Sequence, residues 1–120
     1  MSIKAFPKKG EIWYVHTPNQ PFDPHQPRPA IIVSRDGRNM NAPDLMVVPA
    51  FSNISAMLDV HVEIPKGEGG MPDESIAKCD QVTTIHRSLL AEGPLGERIN
   101  QAIMWKIHRA VRRAMGETKA

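Results

Sequence analysis

The sequence predicts a mainly β protein, a small curled antiparallel sheet or barrel with one C-terminal helix packed on it. Three observations carry that expectation. Short apolar runs recur through the first two thirds of the chain, each bounded by Gly, Pro or Asn/Asp turn chemistry. The period then changes: Ile99, Ala102, Ile103, Ile107, Ala110, Val111 and Ala114 recur at steps of three and four, the stripe of an amphipathic helix. At 120 residues the chain is long enough for one modest core, so residues 1–120 are expected to form a single domain.

The first strand is read at residues 10–16, with Gly10 before it and Pro18 after it. A second, over residues 30–34, is a continuous apolar run between Pro29 and the turn signal of residues 35–39. A third follows at residues 45–50, where Pro49 suggests an edge or a bulge. Residues 60–64 alternate apolar and polar, as in a half-buried strand, and the glycine-rich residues 65–70 are a turn. The last strand spans residues 75–80 and 82–85, bent around Gln81. Pro94 and Gly96 precede the helix, and Gly116 supplies its C-cap.

Composition excludes several classes. A net charge of +2 favours no partner by itself, but the segment from residue 97 onward sets Arg98, Lys106, Arg109, Arg112, Arg113 and Lys119 against Glu97 and Glu117. A single cysteine, Cys79, excludes an intramolecular disulfide and any multi-cysteine zinc site; it reads as a small buried hydrophobe. No apolar run reaches the roughly 20 residues of a membrane span, and the first ten residues lack the apolar core of a signal peptide, so a cytoplasmic location is expected. The five histidines form no helical zinc motif, and residues 67–70 lack the Lys-Ser/Thr of a P-loop, so no metal and no cofactor are expected.

Chemistry concentrates around Arg28. It stands between Pro27 and Pro29, which hold its backbone extended where a proline-rich loop enters the second strand. Its guanidinium is a rigid fork suited to phosphate. Ser52 lies at the end of the third strand, and no Gly-x-Ser-x-Gly elbow surrounds it, which argues against a serine hydrolase. In a regular strand Lys78 and Asp80 share a face, a cation beside a carboxylate. His25, three residues before Arg28, is the acid/base candidate of the loop. Trp105 lies nearly opposite the helix's apolar stripe, near Arg98, Arg109 and Arg112, either packed on protein or stacked on a base.

In sequence order, Gly10-Glu11-Ile12-Trp13, Arg28-Pro29-Ala30-Ile31-Ile32-Val33, Val47-Val48-Pro49 with Ser52, His61-Val62-Glu63-Ile64, Cys79-Asp80-Gln81 and Thr84-Ile85 resemble the MazF/PemK (Kid) toxin family. The resemblance covers nearly the whole chain. It implies an SH3-like barrel, a homodimer, and metal-independent cleavage of single-stranded RNA, with neutralisation by an antitoxin whose disordered C-terminal segment covers the RNA groove. It further implies that Arg28 is the catalytic arginine, that Ser52 takes the place of a catalytic Thr or Ser, and that Asp80 is the active carboxylate. Lys78 stands where PemK/Kid-type members have a catalytic arginine, which keeps the charge and loses the fork. Thr83 replaces another arginine common in the family.

The implied reaction uses the 2′-OH of RNA as nucleophile. Asp80 or His25 is expected to take its proton, Arg28 and Lys78 to stabilise the phosphorane, and Ser52 to position the phosphate; Arg28 and His25 are the contenders for the leaving-group acid. RNA contacts are expected from Phe22, Arg28, His61 and Gln81. Two other readings use the same fold: a CcdB-like toxin that binds gyrase, and a catalytically degenerate binding module.

Overall fold

The structure, a computed structural model, describes residues 6–17, 23, 26–52 and 57–119. Its seven strands are β1 (Ile12–Val15), β2 (Arg28–Ile32), β3 (Asp44–Phe51), β4 (His61–Ile64), β5 (Ser75–Lys78), β6 (Thr83–His86) and β7 (Leu90–Glu92). Two α-helices accompany them among the described residues, α1 (Asp36–Asn41) and α2 (Gln101–Ala114). Every pairing is antiparallel, in the order β4-β5-β3-β2-β1-β7, with β6 on β3 as well.

Strand β3 is the pivot. One edge pairs with β2; the other pairs first with β6, from Asp44 to Val47, and then with β5, at Ala50 and Phe51. Pro49 is therefore in an internal strand rather than at an edge. It falls in the gap where that second edge passes from β6 to β5, a place where a missing N–H breaks no ladder.

The apolar runs are continuous because both faces of the central strands are covered. Ile12, Ile31, Val48 and Ala50 belong to one cluster, with Ile64, Ala77, Ile103 and Ile107. Val15, Ala30, Ile32, Leu45, Val47 and Ile85 form a second. Helix α2 closes the first cluster with Ile103, Ile107 and Ala110, packed on β4 and on the turn that follows β5. Ala102 and Ala114, read as part of the stripe, are exposed instead. Asn100 caps α2, its side chain accepting the Ile103 N–H at 2.8 Å, and Gly116 follows it with φ +103°.

Three further expectations change. Residues 36–41 form a short helix rather than a turn: Asp36 accepts the Lys9 backbone N–H at 2.7 Å, and the buried Asn39 side chain donates to the Ser34 carbonyl at 2.8 Å. The last strand is two strands, because Cys79–Gln81 is a 3-10 turn between β5 and β6. Strand β7 was not anticipated. It is three residues long, none of them fully buried, so it carries too little apolar pattern to see.

Candidate active site

Arg28 is the first residue of β2, opposite Val15 of β1, and is only 7% exposed. A buried guanidinium needs partners for its donors. Its Nε donates to Asp23 Oδ2 at 2.7 Å and its Nη2 to Asp23 Oδ1 at 2.8 Å, a bidentate fork on a carboxylate of the preceding loop. Nη1 donates to the Ala50 carbonyl at 3.3 Å. The guanidinium carbon lies 3.9 Å from the centre of the Phe51 ring. The stem of the loop is tied by Gln26, whose Oε1 accepts the Thr17 N–H at 2.9 Å and whose Nε2 donates to the Thr17 hydroxyl at 2.5 Å.

Phe51 organises the cations. Lys78 Nζ stands 4.3 Å from the same ring centre, so both positive groups rest on one aromatic side chain. Its only signal in the sequence was an aromatic residue at a strand end, which reads as core. Ser52 follows directly, exposed, and lines a cleft of about 190 Å³ with Arg28, Tyr14, Asp73 and Ser75. Ser52 and Arg28 thus line the same cleft, while the arginine fork itself is taken up by Asp23.

Lys78 and Asp80 do not share a strand face. Strand β5 ends at Lys78, and Asp80 lies within the 3-10 turn that follows, 39% exposed. Its partner is His61, which pairs with Lys78 across the β4–β5 ladder. His61 Nδ1 accepts the Leu58 N–H at 3.1 Å, which leaves the ring proton on Nε2; that nitrogen is 3.4 Å from Asp80 Oδ1. Gln81 completes the turn, half-buried. Thr83 pairs with Val47 in β6. Cys79 is fully buried, and burial followed by the neighbouring Asp80 charge pushes its thiol up to about 12. Phe22 and His25 lie outside the described residues.

A seven-stranded antiparallel sheet closed by a C-terminal helix is the fold of a recognisable class. The model of the PemK-like, MazF-like toxins of type II toxin–antitoxin systems matches residues 8–115, and the chain is a member of that family. Among solved structures it is similar to an endoribonuclease from Mycobacterial species, at 20% identity over 98% of each chain with a TM-score of 0.75. It is similar also to an endoribonuclease in complex with its cognate antitoxin, again from Mycobacterial species, at 22% identity over 92% of this chain and 95% of that one (TM-score 0.73). MazF from Deinococcus radiodurans matches at 18% identity over 95% of this chain and 100% of its own (TM-score 0.76). At such identities the likeness is one of fold. A comparison with curated protein sequences yields no significant match.

Proposed function

We propose that this toxin is a metal-independent endoribonuclease that cleaves single-stranded RNA at Arg28 and is neutralised by a cognate antitoxin. The observation that carries the reading is the cleft where Arg28 meets Ser52, with Lys78 joined to it through Phe51. Two of the structures similar in fold are themselves named endoribonucleases, one of them in complex with its antitoxin. Membership of a MazF-like family favours RNA cleavage over the CcdB-like reading.

The 2′-oxygen attacks the adjacent phosphorus, its proton passes to a base, and the bond to the 5′-oxygen breaks as that oxygen takes a proton from an acid, for which Arg28 and His25 are the contenders. The products carry a 2′,3′-cyclic phosphate and a 5′-hydroxyl. Arg28 supplies charge and paired donors to the crowded phosphorane, Lys78 adds a second cation, and Ser52 hydrogen-bonds the phosphate. Asp80, held by His61, takes the 2′-OH proton, a role that contributes on the order of 10²–10⁴-fold. Asp23 occupies the donors that a phosphate needs, so substrate binding displaces it. The chain acts as one toxin domain, as a homodimer, in the cytoplasm; no helix among the described residues is long and apolar enough to cross a membrane.

The test is mapping of cuts in a long RNA in the presence of EDTA. Arg28→Ala abolishes them, while Arg28→Lys, which keeps charge but loses the fork, lowers the rate by about 10²-fold. Circular dichroism checks that both variants are folded. Wild-type cutting by folded Arg28→Ala protein overturns the assignment, and a strict requirement for added metal overturns the mechanism.

A further inference from the structure

A second cleft is larger than the one at Arg28. It measures about 520 Å³ and lies between α2 and the start of β1. The β1–β2 register fixes its place: Val15 pairs with Arg28 at one end of the ladder, whereas Lys9 and Arg35 lie beyond Ile12 and Ile32 at the other. Four paired residues at about 3.3 Å each, with the turn at Lys9 and Gly10 beyond them, set the two sites more than about 10 Å apart.

Its chemistry is specific. Lys9, Arg35 and Arg98 line it, and the one carboxylate present, Asp36, is already engaged by Arg98 at 3.1 Å and by the Lys9 backbone N–H. The Lys9 ammonium and the Arg35 guanidinium make no ion pair among the described residues. Trp105 forms a wall of the cleft and is 57% exposed, the one aromatic ring among the exposed large hydrophobics of the described residues. Gln101 and His108 stand beside it. Burial, then the Lys9 and Arg112 charges, hold His108 below the usual imidazole range, so at neutral pH it offers one donor and one acceptor. Past Trp105, Lys106 and Arg109 continue the positive charge into the next cleft, which also contains Glu63.

We propose that this cleft is a second RNA-binding site, in which an unstacked base lies on the Trp105 indole while Lys9, Arg35 and Arg98 hold the flanking phosphates. An aromatic platform set among cations is what sequence-tolerant binding of single strands requires. A neutral amide and a neutral imidazole beside the platform suit base edges. An acidic peptide fits less well, since the other apolar lining residues, Ile99 and Met104, are buried or half-buried and Trp105 alone is exposed as an apolar contact. Substrate bound here is tethered, which raises its local concentration at Arg28. The inference extends the endoribonuclease reading, and its test separates binding from cleavage.

The probe is a labelled single-stranded oligoribonucleotide of about 16 nucleotides, 2′-O-methylated throughout so that it has no nucleophile and cannot be cut. Wild-type protein is compared with Trp105→Ala and with Lys9→Gln/Arg35→Gln, all checked for native circular dichroism. Trp105→Ala weakens binding by about tenfold or more. The double variant flattens the slope of log affinity against log salt by about 1.4, two phosphate contacts at about 0.7 each. Both variants keep wild-type kcat on an oligonucleotide too short to span the two sites. Unchanged affinity and slope overturn the proposal. So does a Trp105-dependent affinity for a polyglutamate peptide without one for RNA, which makes the cleft a peptide site. A shift of Trp105→Ala to a smaller species in sedimentation overturns it as well, marking this face as a contact between copies.

Discussion

Arg28 is held by a carboxylate in the same geometry that a phosphate would use. The bidentate pair with Asp23 is buried on both sides, with each side chain 9% exposed, so it is not a solvent-screened surface contact. Asp23→Asn keeps the shape of the side chain and removes the charge that competes with substrate. Stability is expected to fall by about 1.5–3 kcal/mol, the range for a hydrogen bond to a charged group. KM for a short RNA is expected to fall several-fold, because phosphate no longer has to displace a charged competitor. Denaturant unfolding and steady-state kinetics read the two effects separately, and a KM that stays the same or rises counts against the competition. Cys79 gives a second expectation at this scale. Its thiol, raised to about 12 by burial, is protected from disulfide-exchange reagents at pH 8 in the native protein and reacts once the chain unfolds. Because the folded value lies above the unfolded one, the thiol's contribution to stability is complete below about pH 9 and declines as pH rises toward about 12. Native-state labelling at pH 8 as fast as that of a free thiol contradicts this.

Among the elements, those with a strong period could be read in advance and those fixed by distant contacts could not. Strand β4 was bounded almost to the residue because His61, Val62, Glu63 and Ile64 alternate and a turn follows at once. The α2 stripe was legible at Ile103, Ile107 and Ala110. By contrast, α1 depends on Asp36 meeting Lys9 and Arg98, groups far away in sequence, and so reads locally as a turn. The glycine turn of residues 67–70 was recognised, but not what it packs against. Gly70 has φ +82°, and a Cβ placed there meets the Leu95 carbonyl oxygen at 2.3 Å. The turn docks onto the segment that leads into α2, joined also by Glu68, which accepts the Asn100 backbone N–H at 2.9 Å. Gly70→Ala is expected to destabilise by more than the roughly 1–2 kcal/mol of a left-handed backbone alone, since backbone cannot yield as a flexible side chain does. Gly67 is the control: its φ is +91° with open space around it, so Gly67→Ala carries only the backbone cost. Equal losses in the two variants, measured by chemical denaturation, sink the packing argument.

At the scale of the molecule, the order of motifs along the chain was enough for the fold, because each apolar run had to find a covered face on both sides of the central strands. The site was legible in part. Arg28 and Ser52 line one cleft because one begins β2 and the other follows β3, which are neighbours in the sheet. Asp23 and Phe51 were missed because neither period nor motif marks them, and Asp80 was misplaced because a 3-10 turn ends the regular alternation on which its face depended. The charge distribution yields the last expectation. A modest net charge of +2 conceals two cationic regions, Arg28 with Lys78 at one end of the β1–β2 ladder and Lys9, Arg35 and Arg98 at the other. Each phosphate neutralised on a single strand adds about −0.7 to the slope of log affinity against log salt. For an RNA that reaches only the Arg28 cleft, two cations set a slope of about −1.4 in log(kcat/KM). A longer RNA that also reaches the Trp105 cleft engages five, for a slope of about −3.5. Turnover at saturating RNA is expected to depend little on salt in either case, because the contacts are already made in the bound complex. The measurement is kcat/KM for a short and a long substrate sharing one cleavage site, from about 50 to 200 mM salt. Parallel slopes for the two lengths mean that one cationic region carries all the binding; divergence that disappears in Lys9→Gln/Arg35→Gln means that both do.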